Sequence, residues 1–375
     1  MHRRRLLAGL AAGSASIALP SFAQSDKRIL LGQSVPLSGP AAQLGIQMNQ
    51  GARIFFDRLN ANGGVGGRKV EIKVLDDGYE PDRCRANTDQ LINKDEVFAL
   101  FGYVGTPTSL AALPLVNTGK MPFFGPFTGA EALREPFSRY VFHVRASYFD
   151  ETALIVKQLT SLGMKRIAVF RQNDSYGQAG LDGVVRALKA QQLDPVAVGL
   201  VERNSTDVAA AVRAIVPQQP HAVVQISAYG SCAAFIREAR KAGYGGTFYN
   251  VSFVGTQALA DALGADGRGV VVTQVMPFPF DTTTGIAREY RDAVKAAGNG
   301  ATPNYSSMEG YLAAKVFAEG LRRGGTAGRD ALITALESIQ RQDFGGYQVN
   351  FGASNHRGSS FVDVSMLTGD GKVRR

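Results

Sequence analysis

Histidine and cysteine are scarce in this chain, and each scarcity removes a class of chemistry. Of the four histidines, His2 lies in a removable leader, and His143, His221 and His356 stand alone. None completes an HExxH pair and no cysteine pair has metal-ligand spacing, so neither a zinc site nor any cofactor is expected. There is no GxSxG elbow and no GxxxxGK[ST] phosphate loop. The glycine cluster NANGGVGGRK follows a helical stretch and precedes a strand, the reverse of a dinucleotide fingerprint, and reads as a helix C-cap and turn. Asp76-Asp77, Asp150-Glu151 and Asp174 read as helix-end and turn acids rather than an acid/base pair. Catalysis is left without candidate residues.

Long apolar runs are also missing. Charged or turn residues interrupt every hydrophobic stretch after the leader, so no segment approaches the ~20 residues of a spanning helix. Basic runs interleaved with aromatics are absent, which argues against nucleic acid as a partner. With the three leader arginines removed, 38 basic side chains face 32 acidic ones, a net charge of +6. No tandem repeat is apparent.

The chain begins MHRRRLLAGLAAGSASIALPSFAQS. Three arginines, a weakly apolar run from Leu6 to Leu19 and the small-x-small site Ser21-Phe22-Ala23 predict a signal peptide over residues 1–23, cut near Ala23. Arg3-Arg4-Arg5-Leu6-Leu7 approximates a twin-arginine pattern, so both the Sec and the twin-arginine export routes stay open. No cysteine follows the cut, which excludes lipid attachment there. The expected location is the periplasm. Cys84 and Cys232 sit in helices assigned below to different lobes. A bridge between them would oppose hinge motion, so two separate buried thiols are expected.

From Arg28 onward, short β-rich runs alternate with amphipathic helical stretches, the pattern of parallel sheets covered by helices. RILLGQSVPL, KVEIKVLDD, VFALFGYVG and MPFFGPF read as strands of one sheet. RIAVFRQN, AVGLVER, HAVVQIS, TFYNVSFV and GVVVTQVM read as strands of a second parallel sheet. Three helices follow without strands of their own, around TGIAREYRDAVKAAG, YSSMEGYLAAKVFAEGLRR and GRDALITALESI, and must cover an existing sheet. The economical arrangement is an α/β protein of two lobes. The first spans 24–144 plus about 276–345, and the second 146–274 plus about 347–375. Several crossings between them would form a hinge with a cleft.

Ligands of open α/β sheets bind beyond the carboxyl ends of strands, where loops enter helices. Gly105 and Thr106 follow one such strand and suit an anion, with simple N-capping as the alternative. Phe127 and Thr128 follow another, offering an aromatic wall and a hydroxyl. Tyr176 and Tyr229 stand at equivalent turns of the second sheet, where each presents a ring face and a hydroxyl.

The segments SVPLSGPAAQLG, NANGGVGGRKVEI, VLDDGYEPDR, NDSYGQAG and EGYLAAK, taken in order, resemble the type I periplasmic substrate-binding proteins of the leucine/isoleucine/valine-binding family over nearly all of the mature chain. The resemblance implies two Rossmann-like lobes joined by three hinge crossings. It also implies a monomer that closes on a small-molecule ligand and delivers it to an ABC permease in the inner membrane. The binding positions it implies are Leu44, Gly105, Thr106, Phe127 and Thr128 on the first lobe, with Tyr176, Tyr229 and Ser252 on the second. Amino-acid-binding members carry an acid at the position like Ser252, and a serine cannot supply that charge. Glu309 either replaces it from the helix YSSMEGYLAAK or is a solvated helix acid. Tyr79 and Val104 stand where some members carry a small disulfide. The expected ligand bears a carboxylate: a branched-chain or related amino acid, or a small aromatic or aliphatic acid. A sensor of the same fold feeding a signalling receptor remains open, and an exported enzyme is the weaker alternative.

Overall fold

The computed structural model describes residues 28–375 apart from position 299; the leader and its cleavage site lie outside the described residues. The first lobe is built on β1 (Arg28–Val35), α1 (Ala42–Ala61), β2 (Lys69–Asp76), α2 (Pro81–Asn93), β3 (Ala99–Phe101), α3 (Thr106–Thr118), β4 (Phe123–Phe124) and β5 (Val141–Phe142). Its five strands run parallel in the order β2-β1-β3-β4-β5. Helices cover both faces, so β1 needs no polar side and its residues are nearly all buried.

The second lobe follows with α4 (Tyr148–Ser161), β6 (Ile167–Gln172), α5 (Ser175–Lys189), β7 (Ala197–Val201), α6 (Ala209–Ile215), β8 (Ala222–Ile226), α7 (Tyr229–Lys241), β9 (Thr247–Asn250), α8 (Thr256–Leu263) and β10 (Val271–Gln274). The chain then returns to the first lobe as α9 (Gly285–Ala297), α10 (Tyr305–Arg322) and α11 (Arg329–Glu337). It continues through a small hairpin, β11 (Gln342–Asp343) and β12 (Gln348–Val349), and ends as β13 (Asp363–Leu367) and β14 (Val373–Arg374) at one edge of the second sheet. That sheet runs β14-β13-β10-β9-β8-β6-β7 and is mixed, not parallel throughout, because β13 pairs antiparallel to β10 and β14 antiparallel to β13. No helical crossover leads into β13, so it is free of the constraint that keeps the preceding strands parallel.

Packing explains why α10 belongs to the first lobe. Gly51 of α1 and Gly310 of α10 let the two helix backbones touch: a Cβ on Gly51 would lie 1.7 Å from the Ser307 carbonyl oxygen, and one on Gly310 would lie 2.1 Å from that of Met48. Any side chain at either position would force the helices apart. Cys84 in α2 and Cys232 in α7 are buried free thiols in separate lobes.

Three passages link the lobes, and they are tied to one another. His143 exchanges backbone bonds with the returning segment, accepting from Gly358 at 2.7 Å and donating to His356 at 2.9 Å. The buried Tyr347 hydroxyl lies 2.9 Å from the Val144 carbonyl and 3.2 Å from that of Val275, so it bridges the first two passages from the third. The strand ends, with their helix-entering loops, face the cleft between the lobes.

Candidate functional site

The first-lobe wall begins at the β3–α3 turn. Gly105 holds φ at +106°, which lets α3 start directly at Thr106. The Thr106 and Thr128 hydroxyls lie 2.6 Å apart, Thr128 donates to the Tyr148 hydroxyl at 3.3 Å, and the Ala130 amide donates to Thr128 at 3.2 Å. With Thr106 donating to Thr128, the phenolic proton of Tyr148 is left for a ligand. Burial pushes that phenol up to about 12, which keeps it a donor at neutral pH.

Opposite this wall, Asp174 caps α5 by accepting from the Tyr176 and Gly177 amides, fixing Tyr176 at the helix entrance. The expected strand through TFYNVSFV stops at Asn250, and Ser252–Val254 forms a 3₁₀ turn instead. That turn places Phe253 among Phe127, Tyr79 and Tyr176, with ring centroids 5.6, 5.9 and 4.5 Å away. Tyr148 and Tyr176 lie 5.5 Å apart. Aromatic faces from both lobes thus converge, and all these rings are buried.

A charged cluster closes the hinge side. Arg145, on the first passage between lobes, is 1 % exposed. Its Nη2 donates to the Ser252 hydroxyl, its Nε lies 3.4 Å from Glu309 Oε1, and its guanidinium sits 4.7 Å over the Phe127 ring. Glu151 of α4 accepts from the Ser252 amide at 2.7 Å, the Ser252 hydroxyl at 3.0 Å and the Thr273 hydroxyl at 2.5 Å. Burial opposes the charge of Arg145, yet Glu309 and then Glu151 hold it above the ordinary arginine range. Burial pushes Glu309 up to about 7 against the pull of Arg145, and Glu151 is raised by the same cause. The Tyr176 hydroxyl, the Ser109 hydroxyl and Arg145 Nη1 are buried without a hydrogen-bond partner among the described residues. Buried polar atoms of this kind are met by water or by a bound molecule.

Thr106, Phe127, Thr128, Tyr176, Ser252 and Glu309 therefore meet around one closed cleft. Glu309 is 4 % exposed and points at Arg145, so the solvated reading of it does not hold. Leu44 and Tyr229 stand at the rim instead. Leu44 packs on Gly255 across the cleft, and the partly buried Tyr229 brings its hydroxyl 3.5 Å from the Gln43 amide. Arg145, Glu151, Tyr148 and Phe253 escaped the sequence reading. Asp150 is the helix-end acid expected of it, completing a capping box with Ser147, but its neighbour Glu151 is wholly buried. A signal was present: Glu151 shares a helical stripe with Ile155 and Leu159, both core residues. A separate groove of about 630 Å³ between α1 and α9, lined by Ile46, Arg53 and Ala293 among others, shares none of these cleft residues.

Comparison with known proteins decides the family. A model of the periplasmic binding protein family matches residues 28–372. The chain belongs to that family. It is one of substrate-binding proteins, not of enzymes. The chain is 36 % identical to the crystal structure of a "possible leucine/isoleucine/valine-binding protein" of Rhodopirellula baltica, with a TM-score of 0.89 over 93 % of this chain and 96 % of the other. A substrate-binding periplasmic protein of Ralstonia solanacearum is 31 % identical, with a TM-score of 0.87 over 92 % and 99 %. The Leu/Ile/Val-binding protein homolog 8 of Brucella suis is 26 % identical over 100 % of this chain and 96 % of its own length. These likenesses support the two-lobed α/β architecture of this periplasmic binding protein along its described length.

Proposed function

We propose that this protein is the periplasmic solute receptor of an ABC importer, capturing a small carboxylate-bearing ligand by closure of the two lobes. The ligand class is a branched-chain or related amino acid, or a small aromatic or aliphatic acid. The observation that carries the reading is the convergence of donors at one buried place. Thr106, Thr128 and Tyr148 meet at the start of α3, whose helix N-terminus favours negative charge. Across the cleft stands the Tyr176 hydroxyl, unpartnered and kept protonated by burial. Phe127, Phe253, Tyr79 and Tyr176 supply apolar faces for the ligand's body.

The leader and the names of the relatives support export and transport. The ligand is bound and released unchanged, and a permease of the inner membrane receives it from the closed protein.

The test is calorimetric titration of the mature protein and of Thr106→Ala and Thr128→Ala. Each substitution breaks the hydroxyl chain that ends in the free Tyr148 proton, and a hydrogen bond to a charged group contributes about 1.5–3 kcal/mol, so affinity should fall by up to roughly 10- to 100-fold. Affinity left intact in both variants would mean that the carboxylate sits elsewhere.

A further inference from the structure

Outside the cleft, a cavity of about 60 Å³ lies beside the first passage between the lobes, lined by Arg134, Glu135, Ser138, His143, His356 and Arg357 among others. Two of these side chains are deeply buried and incompletely met: Arg134 is 4 % exposed and His143 is 1 % exposed. Arg134 Nη2 donates to the carbonyls of Thr128, Arg145 and Ala146 at 3.4, 3.3 and 3.2 Å, while its Nε has no partner among the described residues. His143 Nε2 lies 3.0 Å from the Leu133 carbonyl, which fixes the proton of the neutral ring on that nitrogen and leaves Nδ1 without a partner. An unmet N–H and an unmet lone pair thus belong to two residues bordering one small space, where buried polar atoms are ordinarily satisfied.

The charges nearby do not meet these two atoms. Among the described residues no carboxylate reaches ion-pair distance of Arg134, because Glu131 and Glu135 are both turned to Arg357, at 3.0 and 2.8 Å. Burial lowers Arg134 to about 10, which leaves it charged at neutral pH. Three neutral carbonyls answer its hydrogen bonds on one side but not its charge, and a hydrogen-bonded anion does both. His356 is already committed: its ring nitrogens face the Val141 carbonyl at 3.2 Å and Glu337 Oε1 at 3.3 Å. Burial and then Arg134 hold His143 well below the usual histidine range, so its protein neighbours alone keep the ring neutral. Since the two rim carboxylates balance Arg357 and, at longer range, Arg134, an anion entering alone would add one charge too many. An anion that arrives with a proton satisfies both nitrogens and leaves the balance unchanged.

We propose that this cavity is a second binding site, taking a small monovalent inorganic anion of chloride or nitrate size between the Arg134 guanidinium and a protonated His143. Arg134 Nε–H donates to the ion, a proton taken from solvent makes His143 Nδ1 the second donor, and His143 Nε2 keeps its bond to Leu133. A space of about 60 Å³ admits such an ion and excludes an organic anion the size of gluconate. The site is linked to the cleft through Arg134, whose Nη2 holds the backbone of Thr128 in the binding wall and of Arg145 and Ala146 in the passage. The ion steadies that backbone without touching the ligand.

The experiment follows thermal unfolding of the mature protein in gluconate buffer, with chloride, bromide or nitrate exchanged for gluconate at constant ionic strength, at pH 6 and at pH 8. Anomalous diffraction from crystals grown in bromide then locates the ion. Each small anion should raise the melting temperature saturably. Because binding takes up a proton, apparent affinity at pH 6 should exceed that at pH 8 by about tenfold or more. The bromide peak should lie within hydrogen-bond distance of Arg134 Nε and His143 Nδ1. His143→Gln, checked for folding by its melting curve in gluconate, should lose the pH dependence. Melting temperatures that are the same in chloride and gluconate, a shift equal at the two pH values, a pH dependence retained by His143→Gln, or crystals with water and no bromide in the cavity would each overturn the proposal.

Discussion

Arg145, Glu151 and Glu309 sit where water cannot screen them, so their energetics should be visible in simple measurements. Glu309 is raised to about 7 in the folded protein against about 4.5 for an unburied glutamate, and Asp77 is raised by burial to about 6. At these two groups the folded state binds more protons than the unfolded one across that interval, so their contribution to stability is fullest below the unfolded values and is lost as pH rises through 6 and 7. Burial lowers His143 and His356, which gives the opposite slope over the same interval. The share of Glu309 is therefore read as a difference: relative to the unaltered ligand-free protein, Glu309→Gln should gain stability on going from pH 5.5 to pH 7.5, by about 2 kcal/mol given ~1.4 kcal/mol per pKa unit. Parallel pH profiles of the two proteins would place the titrating group elsewhere. Glu151→Ala is the sharper substitution. It removes the acceptor of three donors, the Ser252 amide and the Ser252 and Thr273 hydroxyls, at a cost on the order of 1–3 kcal/mol for each buried group left unmet. A loss of several degrees in Tm is expected from calorimetry, whereas an unaltered Tm would contradict the buried network. These residues were the least legible in the sequence. In the sequence Glu309 leaves two outcomes open, Glu151 has the pattern of a helix-end acid, and Arg145 in VFHVRAS carries no mark. Charge in an apolar setting becomes informative only when its partners are known, and these partners come from α4, α10 and the turn at Ser252.

Between the elements, the rim of the cleft is held by contacts that never reach its interior. Arg203 and Asn204, on the loop after β7, both donate to Glu80 of the first lobe at 2.8 Å, and Asn204 donates again to the Gly78 carbonyl at 3.1 Å. Contacts of this partly exposed kind are individually worth about 1 kcal/mol or less. Glu80→Ala should then weaken ligand affinity about two- to fivefold, chiefly through faster dissociation in stopped-flow, with no change in ligand preference. Changed preference would make Glu80 part of the site itself.

Leu44 and Gly255 form the apolar counterpart of this latch. Gly255 has φ at +78°, and a Cβ there would lie 2.5 Å from Leu44 Cδ2. Gly255→Ala combines backbone strain of about 1–3 kcal/mol with that clash. It should lower affinity by tenfold or more, and Leu44→Ala added to it should recover only the part due to the clash. Full affinity in Gly255→Ala would show that closure does not need the contact. At this scale the sequence is largely readable, because most helices announce themselves by period, and α4, α5 and α10 also by a capping side chain. What it concealed were ends and directions. The pattern of TFYNVSFV gave no sign that β9 would stop at Asn250, and FVDVSML carried no mark that β13 would run antiparallel.

At the scale of the whole molecule, one hydroxyl ties the three passages on which opening depends. Tyr347 reaches the carbonyls of Val144 and Val275 from its own hairpin, so Tyr347→Phe removes a bridge of about 1 kcal/mol without emptying space. Alternating β and α patterns give helix-covered sheets, a return of three helices to the first sheet and a cleft between lobes as expectations. The order of strands and the charge balance inside the cleft do not follow from those patterns, because both depend on residues that are distant in sequence and meet only in the fold. On the proposed function, the closed cleft is built around a small carboxylate. Its most direct test is thermal unfolding of the mature protein, stripped of carried-over ligand by denaturation and refolding, against amino acids, aromatic acids and aliphatic acids. A ligand at ~100 times its Kd should add about 2.7 kcal/mol and raise the melting temperature by several degrees. Such a shift is expected with at least one carboxylate of the panel; melting curves that coincide across every carboxylate tested, while a ligand without one shifts them, would contradict the carboxylate site.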